Sequence, residues 1–202
     1  MILPKIESVI NSLDTTSITQ DRKQVLKPLI NYIRSKENKE SEISLNFICT
    51  HNSRRSHFSQ VWAQAIAKFF NVDNVFCYSG GTEATALYPM VVETLKRSGF
   101  IVKATSNDTN PIYSIKYSDN APPITGFSKT FDSEINPISN FAAILTCSDA
   151  DENCPFIEGA ETRIPITYED PKSSDGTLEK QRIYMQRSLQ IATEMKYVFS
   201  EI

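Results

Sequence analysis

A chain of 202 residues, 40% hydrophobic and 22% charged, is long enough to bury a sizeable core and fits one domain with extensions. Its formal net charge of -3 excludes a general nucleic-acid binder, which needs a clustered surplus of Lys and Arg, so any anion binding must be local. No apolar run approaches the roughly 18 residues of a membrane span, and the acid-containing start MILPKIESVINSLD is unlike a signal peptide, so a cytoplasmic protein is expected.

Residues 2–13 and about 19–35 carry helical spacing, the second through Val25, Leu26, Leu29, Ile30 and Ile33 in spite of Pro28. Residues 1–40 are therefore expected to form a helical appendage, packed on the core or on a second subunit. After the charged linker KENKESE, Ile43 to Cys49 reads as a buried strand, and Ser56 to Phe70 returns to helical spacing with Phe58, Val61, Trp62, Ala65, Ile66 and Phe69 on one face. Asn74 to Tyr78 reads as a second strand closed by Ser79-Gly80-Gly81, and about Tyr88 to Ser98 as a helix ended by Gly99. This alternation is the signature of a parallel α/β sheet, expected here as four parallel strands with helices on both faces over residues 43–202.

Residues 104–140 break the rhythm. NPIYSIKYSDNAPPITGF predicts a β-hairpin or an irregular insertion. Phe141 to Thr146 then reads as a buried strand running into Cys147, Arg163 to Thr167 as a final strand, and Thr177 to Ser200 as the C-terminal helix.

The four cysteines, Cys49, Cys77, Cys147 and Cys154, include no CxxC pair, and the only histidines are His51 and His57. That set predicts no metal site and no secreted disulfide framework, and nothing in the sequence calls for a cofactor. Cys77 is expected to pack in its strand. Cys49 and Cys147 fall at the C-terminal ends of predicted strands, where open α/β sheets place their sites.

The chemistry is concentrated in FICTHNSRRSH (Phe47 to His57). A strand turning tightly into a helix presents successive backbone N–H groups and the positive end of the helix to whatever occupies the turn, which favours an anion and a thiolate at Cys49. Arg55 follows after five intervening residues, and its planar fork suits two oxygens of a tetrahedral oxyanion. Ser56 can donate to the sulfur. Thr50, His51, Asn52, Ser53, Arg54 and Arg55 are thus the candidate oxyanion-binding residues.

ICTHNSRRS resembles the phosphate-binding loop of the low-molecular-weight protein tyrosine phosphatase superfamily, written as Cys, five residues, Arg, then Ser or Thr. Within that superfamily, LTCSDADENCP (Leu145 to Pro155), YEDP (Tyr168 to Pro171) and FCYSGGTEAT resemble the thioredoxin-coupled arsenate reductases, over roughly residues 43–200 outside the insertion. The resemblance implies that Cys49 attacks arsenic, that Asp170 is the general acid, and that Cys147 and Cys154 relay the resulting disulfide to thioredoxin. Cys147 and Cys154 lie on a segment rich in Ser, Asp and Asn, expected to be flexible enough to bring the two sulfurs together. Two positions depart from the pattern. His51 stands where glycine is usual and Arg54 where the reductases carry a further cysteine; both are expected to brace the loop, with accommodation of a larger or more charged substrate as the alternative. Asp170-Pro171 is followed by Lys172-Ser173-Ser174 rather than by aromatic residues, which favours a small inorganic oxyanion over a phosphotyrosine.

Arsenate reduction with a three-cysteine relay is the leading expectation, by a monomer or homodimer. Hydrolysis of a phosphate monoester by Cys49, Arg55 and Asp170 is the alternative, and a non-catalytic oxyanion-binding or redox-sensing module is the third.

Overall fold

The computed structural model describes residues 1–153 and 156–202. Four strands, β1 (Ile43–Cys49), β2 (Val75–Gly81), β6 (Phe141–Leu145) and β7 (Ala160–Pro165), form one parallel sheet in the order β2-β1-β6-β7. The chain leaves β1 to one side to make β2 and returns on the other side to make β6. The topological switch, and with it the natural binding crevice, therefore falls at the C-terminal end of β1, where Cys49 stands.

The helices are α1 (Pro4–Ser12), α2 (Gln20–Glu37), α3 (Arg55–Phe69), α4 (Pro89–Arg97), α5 (Ser148–Asn153) and α6 (Lys180–Ser200). All seven residues of β1 are buried, as a central strand covered on both faces requires. They divide between two clusters. Ile43, Leu45 and Phe47 join the large core with Trp62 of α3 and Phe199 of α6, whereas Ile48 and Cys49 join a smaller cluster with Leu145, Cys147 and Ala150 of α5. Helices cover both faces, as expected, but unequally. Residues Leu26, Leu29 and Ile33 of α2, spaced for one helical face, are fully buried in that same large core, with Pro28 accommodated inside the helix.

Residues 104–140 belong to a larger unit than a hairpin. β3 (Ile101–Ala104), β4 (Tyr113–Lys116) and β5 (Ile124–Gly126) make a separate antiparallel sheet, so the extended chain begins before the expected insertion, directly after α4. β3 has one buried residue in four, too weak an alternation to announce a strand.

β2 is an edge strand whose outer backbone groups are met by side-chain amides instead of a fifth strand. Gln64 accepts from Cys77 N and donates to Val75 O, Gln60 donates to Cys77 O, and Asn136 donates to Ser79 O. Gly81 exchanges bonds with the segment after β5, its N–H donating to Lys129 O and its O accepting from Phe131 N. Among the described residues no helix is long and apolar enough to cross a membrane.

Candidate active site

Between β1 and α3, residues 50–54 make the tight turn anticipated from sequence. The carbonyls of Cys49, Thr50 and Ser53 accept from the N–H groups of Thr82, Glu83 and Tyr88, His51 O accepts from Ser128 Oγ and Thr85 Oγ1, and Asn52 O is bonded by His57 Nε2. In a trans peptide the N–H of the next residue points opposite to the carbonyl. The N–H groups of residues 50–54 are therefore directed away from these braces, a set of donors suited to an oxyanion. The left-handed residue of the turn is Asn52, with φ 43°, while His51 keeps an ordinary negative φ. Histidine can thus stand where glycine is usual, because the curl is taken one position later by a residue type that tolerates it. Gly81 is needed for another reason: a Cβ there would lie 2.7 Å from both Thr50 O and Asn52 N.

Cys49 is buried, with Sγ 3.1 Å from Ser56 Oγ. The direction of that bond follows from its neighbours. Lys129 N–H donates to Asn52 Oδ1 (2.9 Å), which fixes the amide, and Asn52 Nδ2 donates to Ser56 Oγ (2.9 Å). With an oxygen lone pair so occupied, the Ser56 hydroxyl is free to donate to the Cys49 sulfur.

Arg55 is also buried. Nη1 donates to Tyr168 O (3.0 Å), Nη2 to Asp170 Oδ2 (2.7 Å), and Nε has no partner. Asp170 meanwhile accepts from Lys172 N at the start of the 3-10 turn Pro171–Ser174. The turn that carries the carboxylate is therefore tied to the guanidinium it faces. Tyr168 is itself anchored, its hydroxyl donating to buried Glu194, which Arg22 of α2 grips through both Nε and Nη2.

Cys147, just beyond β6, has no exposure; its Sγ lies 3.5 Å from Thr50 Oγ1 and accepts from Ala150 N. It belongs to the same small apolar cluster as Cys49. The segment after it is not the flexible loop expected from its composition but helix α5, tied to β7 by an Arg163–Asp151 ion pair. Its Ser and Asp residues fill the first turn, where they suit a helix N-terminus. Cys154 lies outside the described residues.

No protein-family model matches the chain. Among characterised proteins it is 30% identical over 142 residues to an arsenate reductase of Bacillus subtilis, an alignment spanning 70% of this chain and 83% of that one. The chain belongs to the arsenate reductase family. The fold agrees. The crystal structure of an arsenate reductase from Archaeoglobus fulgidus superposes with a TM-score of 0.52 at 17% identity, covering 77% of this chain and 98% of the other. A low-molecular-weight protein tyrosine phosphatase from T. tengcongensis superposes with a TM-score of 0.53 at 16% identity, covering 80% and 100%. This member of the family is thus an enzyme built on the low-molecular-weight phosphatase fold.

Arg54, the second departure from the family's loop, points out of the turn. Its guanidinium lies 4.2 Å from the Tyr88 ring centroid, donates to Tyr184 Oη and pairs with Asp175 at 2.9 Å. Beside it a cavity of about 400 Å³ is lined by His51, Ser53, Arg54, Tyr88 and Lys172. His51 is half-exposed and faces Glu83 at 3.6 Å.

Three contributors had no role assigned from the sequence, although Tyr168 opens YEDP and His57 closes FICTHNSRRSH. His57 is fully buried, pushed down to about 3 by desolvation and by the charge of Lys129, and so stays neutral. Since Asn52 O can only accept, His57 Nε2 must carry the hydrogen, leaving Nδ1 to accept from Ser79 Oγ. Tyr168 and Lys129 reach the site from segments about a hundred residues away from the loop or in an irregular stretch. Only His57, in the first turn of α3 and within the quoted loop stretch, had a local signal. Among the described residues no group of His, Cys, Asp and Glu is arranged to hold a metal.

Proposed function

We propose that this protein reduces arsenate to arsenite. The supporting observation is Cys147: a second free thiol, buried in the same cluster as Cys49 and beside Thr50 of the turn, which hydrolysis of a phosphate ester would not require. Arsenate sits on the N–H groups of the turn and on Arg55, whose unpartnered Nε is the donor left for it. Cys49 thiolate forms a sulfur–arsenic bond as an arsenate oxygen leaves with a proton from Asp170. Cys147 thiolate then attacks the Cys49 sulfur; the sulfur–arsenic bond breaks, its electron pair stays on arsenic, and arsenite departs from a Cys49–Cys147 disulfide. Cys154 displaces Cys49, and the dithiol of thioredoxin reduces the Cys147–Cys154 bond.

Geometry imposes one condition on the relay. Six residues of α-helix rise about 9 Å, whereas a disulfide needs Cα atoms roughly 4.4–6.8 Å apart. Bringing residue 154 to Cys147 therefore requires α5 to unwind or the chain after it to double back, and buried Cys147 must come into reach of a reductant.

The experiment is thiol counting after a single turnover with arsenate, then turnover with thioredoxin. The wild type loses two thiols per arsenite; Cys49→Ser loses none; Cys154→Ser completes one turnover and stops. Sustained thioredoxin-driven turnover by Cys154→Ser would sink the relay. Release of phosphate from an aryl phosphate without loss of thiols would instead assign the chain to ester hydrolysis, for which the cavity beside Arg54 offers room for a leaving group.

A further inference from the structure

A second, larger cavity of about 680 Å³ opens behind the catalytic turn, between the β2 edge and the antiparallel sheet. Its volume falls within the roughly 300–1,000 Å³ of small-molecule sites. Three of its lining residues, Lys129, Gln60 and Asn136, are at least nineteen-twentieths buried, yet Lys129 Nζ, Gln60 Oε1 and Asn136 Oδ1 have no hydrogen-bond partner. The two amides cannot be flipped to repair this. Cys77 O and Ser79 O only accept, so the amide nitrogens must face them and the oxygens are left over.

Lys129 is the sharper anomaly. Among the described residues it has no carboxylate partner; its Nζ lies 4.9 Å from the Phe127 ring centroid. Burial lowers it to about 8, which leaves the ammonium mostly charged at neutral pH. A buried, unpaired cation is a costly thing for a fold to carry without a counter-ion. The mouth is apolar: Phe76, Ile112 and Ile135 line it and are each more than a third exposed. Lys68 and Asp73 at the rim offset one another, so Lys129 sets the sign of the site.

We propose that this cavity binds a small organic anion with a flat apolar body, its carboxylate-like head on Lys129 Nζ and donor groups of its own, where present, on Gln60 Oε1 and Asn136 Oδ1. Lys129 lines the cavity with its Nζ buried, so binding requires rotation within the four-carbon stem to bring the ammonium to the head of the ligand. The inference is independent of the reaction assigned to Cys49.

2-Naphthoate is the probe, followed by calorimetry on the full chain in the presence of saturating phosphate, which blocks the catalytic turn. Saturable binding at one site per chain is expected, at least tenfold weaker for neutral 2-naphthalenemethanol and for Lys129→Met. Ile135→Trp, an exposed substitution that fills the mouth, should weaken naphthoate as much with Lys129 intact, and decides the matter if Lys129→Met does not fold. No saturable binding up to millimolar naphthoate, competition by phosphate, or wild-type affinity in both variants would overturn the proposal.

Discussion

Two regions flank the catalytic domain, and both reach its site by different means. The N-terminal helices arrive as a packed face: Ile6, Ile10, Leu26, Leu29 and Ile33 are fully buried in the main core, and one bidentate grip from Arg22 on Glu194 secures Tyr168 and, through it, Arg55. The segment after β5 arrives as backbone and hydroxyl: Lys129 N holds Asn52, and Ser128 Oγ holds His51 O and accepts from Thr85 N. The first solves its packing completely. The second orients the turn between Cys49 and Arg55 but leaves a cavity with orphaned polar groups behind it. Dense burial and accurate placement are separate achievements, and a segment can deliver the second without the first.

The contrast can be broken at its strongest point. Glu194→Leu should leave Arg22 and the Tyr168 hydroxyl stranded and destabilise the fold by about 3 kcal/mol in urea unfolding; adding Arg22→Met should recover part of the loss, the mark of a coupled pair. On the other side the sign reverses. Lys129→Met should stabilise the protein by on the order of 2 kcal/mol at pH 7, because it removes an unpaired buried charge. Since the folded state holds Lys129 near 8 against an ordinary 10.5, the unfolded chain binds more protons between those values, and wild-type stability should rise there with pH while the variant gains nothing.

His57 sharpens the comparison in acid. With its folded value near 3 against an ordinary 6.5, its contribution is complete above about pH 6.5 and is lost as pH falls toward 3, by about 1.4 kcal/mol at pH 5.5. Subtracting the profile of His57→Gln from that of the wild type isolates this loss. The smallest effect is expected for Ser128→Ala, about 1 kcal/mol for the bonds to His51 and Thr85, measured with a several-fold weaker affinity for phosphate.

Sequence carried the strand, the turn and Arg55 because their chemistry is local: a mainly apolar run of seven residues that ends in a cysteine, and an arginine at the start of the next helix. It carried α2 for the same reason, through spacing. It misjudged residues 148–153, where Ser and Asp read as loop but serve as the first turn of α5. It gave no sign of Lys129, and it showed Tyr168 only as the first residue of YEDP without a role, since no periodicity links them to Asn52 or Arg55 and only the folded topology brings them there. Arg54 was read as a brace, and its contacts with Tyr88, Tyr184 and Asp175 depend on side chains far along the chain.

The amide fringe along β2 has a bearing on how the sheet edge is guarded while the chain folds. An unpaired outer strand is a template for another chain, and proteins usually cover it, charge it or shorten it. Here Gln60 and Gln64 come from the helix that immediately precedes β2 and can quench part of that edge as soon as the parallel β1-α3-β2 unit forms, before the distant Asn136 has docked. Replacing both glutamines with leucine would leave the late-arriving Asn136 as the main guard, and aggregation during refolding should rise even if the finished enzyme differs little.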